Sequence, residues 1–568
     1  MKPLISFKNF TFKYDALDIP TLFNINLDIY DNEKILIIGP SGSGKSTLSN
    51  CINGLIPFSY KGKIQGQLLI DGLDLVNSSI FELSKIVGTV LQDSDGQFVG
   101  MTVAEDVAFA LENDNKDHSE MLDIVDKAIS LTNLSDFKDH PPMLLSGGQK
   151  QRTSISGILV DDVKIMLFDE PLANLDPKTG KNTISLIENI KSSLNKTIII
   201  IEHRLEDVLW SSIDRIILIN DGTIKYNGNI RDLLMSNLLN DNGIREPLYV
   251  TAMKYAKVAL NNIDYLENIN HLKLNKDAIS TISNWYYNYN LKDENDCNQP
   301  LLSIKDLTFS YKDNHKLIDK LSLNINKGEI ISIVGENGAG KSTLSKLICG
   351  FEKPESGKII LNNIEINKLP IREIAKNIGF IMQNPNTMIS KISIYDEIAL
   401  GLLNIGLTSQ QIKDKVYEVM KICKLYEFRN WPIKALSHGQ KKRVTIASVL
   451  VLDPSIIILD EPTAGQDFKT YTIFMDFLLE LNKLGTTIIL ITHNMHLMLE
   501  YTKRVIVMSN GTILKDTTAS KLLSDMFLID KSSLKETSLY TLANLCNIDP
   551  ISFIDKFIAY DKECRKHE

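Results

Sequence analysis

The sequence has no apolar run approaching the roughly 18 residues that a membrane-crossing helix needs, so the chain is not expected to span a bilayer by itself. Its start, MKPLISFKNFTFKYD, lacks the apolar region of a secretory signal. It has no surplus of positive charge: 62 Lys and Arg stand against 70 Asp and Glu, a formal net charge of -8. General nucleic-acid binding needs a basic surface to displace counterions, so no direct nucleic-acid partner is expected. Cysteine is sparse. Cys51, Cys297, Cys349, Cys423, Cys546 and Cys564 include no CxxC pair and no zinc-ligand spacing, which fits reduced thiols in the cytosol. A membrane role would have to come through another subunit.

What is present is a duplication. The 568 residues imply several domains, and 43% apolar with 23% charged residues suits cored globular units. GPSGSGKST at 39–47 recurs as GENGAGKST at 335–343, LSGGQKQR at 145–152 as LSHGQKKR at 436–443, and IMLFDEP at 165–171 as IIILDEP at 456–462. The near-constant offset marks a repeated domain rather than a solenoid. PLYVTA (247–252) and SLYTLA (538–543) keep the register, so each half is expected to end in a related helical appendage. The boundaries read as a first domain over 1–232, its appendage over 233–275, a polar linker over 276–300, a second domain over 301–520 and its appendage over 521–568. KILIIG, KIMLFD, TIIIIEH and RIILIN, with their second-half counterparts, read as buried parallel strands. GQLLIDGLDL (66–75) and GKIILNNIEI (357–366) read as antiparallel hairpins, and the stretches 101–140 and 393–430 as helical.

Both Gly-rich segments match G-x-x-x-x-G-K-[ST] after a strand and before a helix. The candidate phosphate cradles are Gly39, Pro40, Ser41, Gly42, Ser43, Gly44, Lys45, Ser46 and Thr47, and Gly335, Glu336, Asn337, Gly338, Ala339, Gly340, Lys341, Ser342 and Thr343. Glycines let backbone N–H groups converge on phosphate oxygens, and the helix N-terminus adds positive potential. Lys45 and Lys341 are expected to reach the β- and γ-phosphates of ATP, and Ser46 and Ser342 to ligate Mg²⁺.

With LSGGQ and LSHGQ each a short distance before an apolar strand ending in Asp-Glu, the chain resembles the ATP-binding cassette ATPases over nearly all of both halves. The resemblance implies an α/β fold: two tandem P-loop cassettes, each with a mixed, mainly parallel core sheet, an antiparallel β subdomain and a helical subdomain. It implies that Ser146, Gly147, Gly148 and Gln149 face ATP held by the second cassette, and that Ser437, His438, Gly439 and Gln440 face ATP held by the first. Asp169 and Asp460 match the aspartates that hold Mg²⁺ or its water, and Gln92 and Gln383 match the further Mg²⁺ ligand at the hinge to the helical subdomain. Glu170 and Glu461 match the general base. His203 and His493 match the histidine that contacts the γ-phosphate, and Asp176 and Asp467 the aspartate that crosses between cassettes. Tyr14 and Tyr311 match the aromatic stacked on adenine. His438 departs from the pattern, replacing the first glycine of the second signature.

Three kinds of cassette protein fit these motifs. A chromosome or DNA-repair ATPase would carry long insertions, and neither the Lys45–His203 nor the Lys341–His493 interval has room for one. A two-cassette translation factor acting on ribosomes would carry a basic linker, whereas acids outnumber bases over 231–300. LQDSDGQFVGMTVAEDVAFAL (91–111), with Asp95 and Gln97, resembles the energy-coupling factor transporter ATPases; MQNPNTMISKISIYDEIALGL (382–402) is a looser variant. That resemblance implies the ATP-hydrolysing motor of an uptake system for a vitamin, a vitamin precursor or a transition-metal ion. Its partners would be an integral-membrane coupling subunit and a membrane subunit that captures substrate. The two cassettes would pair within the chain at the cytoplasmic face of the cell membrane.

Overall fold

The computed structural model describes residues 2–92, 94–173, 175–291, 299–311, 316–403, 405–463 and 466–565, without the side chains of Ser94, Asp95 and His438. The Asp95 and His438 side chains, and the 292–298 part of the linker with Cys297, therefore lie outside the described residues. The chain divides into two compact units, one of residues 1–284 with 465–469, the other of 285–464 with 470–568.

Among the described residues the first unit holds ten strands: β1 (Ile5–Tyr14), β2 (Leu22–Ile29), β3 (Lys34–Ile38), β4 (Gly62–Ile70), β5 (Leu73–Asp74), β6 (Val87–Val90), β7 (Ile165–Asp169), β8 (Thr197–Ile201), β9 (Arg215–Asn220) and β10 (Thr223–Gly228). They form an antiparallel sheet in the order β2-β1-β4-β5 and a six-stranded sheet in the order β10-β9-β3-β8-β7-β6. In the larger sheet only the β9–β10 pair is antiparallel. Composition explains the difference. β3 and β8 are nearly continuous Ile and Leu and wholly buried, as a parallel sheet covered on both faces requires. β2 alternates buried and exposed residues, as a half-covered antiparallel strand does.

The second unit repeats this with β11 (Pro300–Ser310), β12 (Lys316–Asn326), β13 (Ile330–Gly335), β14 (Ser356–Leu361), β15 (Ile364–Glu365), β16 (Ile378–Ile381), β17 (Ile456–Asp460), β18 (Thr487–Ile491), β19 (Arg504–Ser509) and β20 (Thr512–Thr517). Its sheets run β12-β11-β14-β15 and β16-β17-β18-β13-β19-β20. The expected hairpins are present as β4–β5 and β14–β15.

Helices Val103–Asn113, His118–Leu131 and Gly147–Leu159 form a helical cluster of the first unit, packed around Val103, Val107, Leu111, Val125 and Ile129. Ser409–Ile422 and His438–Leu450 are among their counterparts. The segments beginning PLYVTA and SLYTLA hold the matching helices Leu248–Tyr255 and Ser538–Leu545. Inside the stretch read as linker, Lys276–Asn288 is helical, with Ala278 and Ile282 buried one turn apart. Among the described residues, no helix is long and apolar enough to cross a membrane.

Candidate active site

Each Gly-rich loop leaves the end of a central strand and turns into a helix, Lys45–Ile52 in the first unit and Lys341–Ile348 in the second. Gly44 (φ 105°) and Gly340 (φ 97°) cap those helices in the left-handed region, which side chains rarely adopt. Gly39 and Gly335 are needed for a second reason. A Cβ there would stand 2.2 Å from the carbonyl oxygen of Ile219 or Met508. The buried Lys45 donates from Nζ to the carbonyls of Gly39 (2.8 Å) and Pro40 (2.9 Å). Lys341 does the same to Gly335 (2.7 Å) and Glu336 (2.9 Å). Burial lowers the Lys45 pKa, opposed by the charges of Glu170, Asp467 and Asp169. Ser41 and Ser46 are exposed, whereas Ser43, Thr47 and Thr343 are buried.

β7 and β17 end at Asp169 and Asp460, beside the loops. Burial, followed by the charge of Glu170, pushes Asp169 up to about 6. Burial also raises Asp460, opposed by a hydrogen bond from Ser342 Oγ to its Oδ2 (3.3 Å) and by Lys341. Glu170 and Glu461 follow at positive φ, 50° and 44°. Glu170 accepts from Gln92 Nε2 (2.6 Å), and His203 Nδ1 stands 3.7 Å from its carboxylate and 3.4 Å from that of Glu202. Burial opposes ionisation of Glu170, but the bond and charge of His203, then Lys45, hold its pKa below the usual value. His203 is raised: burial opposes its charge, and Glu170 and Glu202 outweigh burial. In the second unit His493 Nε2 lies 3.7 Å from Glu461, and Thr492 Oγ1 donates to Glu461 (3.4 Å). Burial, then the Asp460 charge, pushes Glu461 up to about 8. Gln383 follows β16 and is exposed.

Ser146 and Ser437 are the N-caps of Gly147–Leu159 and His438–Leu450. Each accepts from the backbone of Gln149 or Gln440, and that side chain accepts in return from the cap residue's N–H. Tyr14 packs edge-on against Phe12 and Tyr60, and its hydroxyl is 3.2 Å from Thr47 Oγ1. Tyr311 packs against Phe309 and is half exposed. Asp176 caps Pro177–Leu194 by accepting from Thr179. The first unit includes 465–469, and there the carboxylate of Asp467 accepts the Ser41 backbone N–H.

The donor set fits a nucleotide with a hard cation. A Gly-rich loop backed by a buried lysine adjoins strand-end aspartates whose pKa values are raised chiefly by burial. Among the described residues no cluster of three His, Cys, Asp or Glu forms a stand-alone metal cage. Mg²⁺ suits a sparse Ser, Asp and Gln set because it keeps waters and phosphate oxygens as ligands. Sequence reading missed Glu202 against Thr492, Gln151 against Lys442, and the Lys34–Glu188 pair. The first two appear as mismatched columns between the repeats.

Fold and site together define a P-loop ATPase present twice in one chain. Residues 22–173 and 318–464 match the family described as ABC transporter, and 236–309 the family described as ATP-binding cassette cobalt transporter. A Clostridium perfringens protein named as an ABC transporter ATP-binding protein is 53% identical over 565 residues, covering 99% of each chain. An Enterococcus faecalis protein of the same description is 52% identical over 577 residues, again covering 99% of each. The structure of cbiO1 from Clostridium perfringens, described as part of the ABC transporter complex cbiONQ, is 34% identical, with a TM-score of 0.38 over 41% of this chain and 94% of that one. The chain belongs to the ABC transporter family, as an ATP-binding protein with tandem cassettes. It binds ATP and is an ATPase whose turnover is coupled to transport.

Proposed function

We propose that this chain is the ATPase of an energy-coupling factor type transporter that takes up a vitamin, a vitamin precursor or a transition-metal ion. The observation that carries the reading is the match of residues 236–309 to the cobalt-transporter family. It covers the appendage region that the sequence likens to this class. The partners are an integral-membrane coupling subunit and a substrate-capture subunit, and the chain sits at the cytoplasmic face of the membrane.

In this reading the two cassettes pair within the chain and share two ATP sites. Lys45 works with the Ser437 helix, and Lys341 with the Ser146 helix. Tyr14 and Tyr311 stack on adenine. Helix N-termini are suited to γ-phosphate by their free N–H groups and dipole. Ser46, Gln92 and Asp169, and Ser342, Gln383 and Asp460, would hold Mg²⁺, which supplies positive charge to the phosphoryl oxygens. Glu170 and Glu461 take a proton from the attacking water, and His203 and His493 orient on the γ-phosphate. Loss of that phosphate removes the bridge and lets the cassettes part.

Purification from detergent-solubilised membranes under native expression tests the reading. A stoichiometric integral-membrane partner is expected, and cells lacking the chain should lose uptake of one labelled vitamin, vitamin precursor or metal ion. Recovery with ribosomes, and no membrane partner, would overturn it.

A further inference from the structure

Both proposed bases are followed by proline, and in both cassettes the carbonyl of that proline is held from the helix that the signature serine caps. Gln151 Nε2 donates to the Pro171 carbonyl, and Lys442 Nζ to the Pro462 carbonyl. The two donors occupy the same column of the repeat, LSGGQKQ and LSHGQKK. Both are buried, at 6% and 2% exposure. The contact is thus reproduced by two different chemical groups.

The backbone gives the contact a purpose. Glu170 and Glu461 adopt positive φ, which is unfavourable for a non-glycine residue and persists only where its surroundings fix it. On one side the Glu170 and Glu461 N–H groups are fixed by the carbonyls of Ile201 and Ile491; on the other stands a proline, whose nitrogen has no N–H to anchor. Its carbonyl is the polar handle that remains.

We propose that Gln151 and Lys442 are positioning residues for Glu170 and Glu461, tying the aim of each base to the signature helix of its own cassette. This rests on reading the two glutamates as bases. The helix whose capped end would sense one ATP site thereby also holds the base of the other. The two devices differ in charge. Gln151 is neutral, and its Oε1 accepts from Thr183 Oγ1 at 3.4 Å. Lys442 is a buried amine, pushed down to about 8 by burial and opposed by the charge of Glu461. Cassette 1 carries the buried acid Glu202 where cassette 2 has Thr492. The hydrogen bond is therefore the shared element, and the charge is particular to the second cassette.

The test is steady-state ATP hydrolysis by the full-length chain. Q151M/K442M removes both donors while keeping side-chain bulk. It is expected to lower kcat about tenfold, the equivalent of about 1.4 kcal/mol, with KM for ATP shifted less than about twofold. K442Q alone places the group of cassette 1 in cassette 2 and should keep kcat within about twofold of the parent. Unchanged kcat in Q151M/K442M, a rise in KM alone, or a K442Q variant as slow as the double variant would overturn the proposal. A thermal melt and binding of a fluorescent ATP analogue check the fold. If the double variant fails either, K442M against K442Q in the parent chain reads the same comparison. E170Q/E461Q is the control: if it still turns over, the base reading itself has failed, which is a separate result.

Discussion

Lys34 and Ile330 begin equivalent central strands, β3 and β13, and they show what one residue costs. Lys34 is fully buried and pairs with Glu188, with a further bond to Ser211 Oγ (2.9 Å). Burial lowers its pKa, opposed by Glu188. A buried ion pair is often replaceable by an apolar group at no loss, whereas removing one partner leaves an uncompensated charge. Lys34→Ile places the residue of the second cassette in the first, and leaves Glu188, whose side chain is 34% exposed, able to face water. It is expected to change stability by less than about 1 kcal/mol, while Glu188→Ala should cost about 3 kcal/mol. Calorimetry of the two variants checks the order. Equal losses would mean that the pair, and not burial of a lone charge, sets the cost.

At the scale of elements, the signature helices would carry two duties at one end under the proposed function. Ser146 closes a capping box with Gln149, and the proposed site also asks it to face phosphate. Substituting such a cap by Ala costs about 1 kcal/mol, whereas Asp caps as well as Ser. Ser146→Asp should therefore melt within about 0.5 kcal/mol of the parent. A carboxylate turned toward phosphate should nevertheless depress turnover by at least about tenfold through like-charge repulsion. Ser146→Ala should show the milder stability loss with weaker ATP affinity. Normal turnover in Ser146→Asp would remove the phosphate-facing role and leave only the cap. The appendage is joined to the site at this scale too. The helix Leu248–Tyr255 starts with the Leu248 N–H donated to Glu206 (2.9 Å), in the short helix just after His203. In the second unit Arg565, on Pro550–Arg565, pairs with Glu500 (2.8 Å), in the helix after His493.

For the whole molecule, the expected cycle is closure on ATP and opening after hydrolysis. Replacing Glu170 and Glu461 together with Gln should cut turnover at least about 10²-fold, the usual scale of a lost general base. It should also leave ATP rather than ADP bound after rapid desalting. Release of ADP at the parent rate would sink the assignment of both bases. The two halves are not interchangeable in this cycle. Burial opposes the charge of Glu170, but His203 and then Lys45 hold its pKa below the usual value, while burial pushes Glu461 up to about 8. Thr492 in place of Glu202 and Lys442 in place of Gln151 redistribute charge around the second base.

The duplication, the Gly-rich loops with their glycines and the strand-end acids were legible in the sequence; the serine caps emerged only with the structure. What was legible is fixed by neighbours within a few residues: a positive φ at a glycine, a run of isoleucines. The mismatched pairs Gln151/Lys442 and Glu202/Thr492 were visible as letters but carried no meaning until packing supplied their partners. Tertiary structure alone brought Gln92 to Glu170, Lys34 to Glu188 and the signature helix to the proline after the base. Those contacts join residues far apart in the chain. Their strength depends on burial, which raises the cost of a charge and the value of a hydrogen bond, and which local sequence does not set.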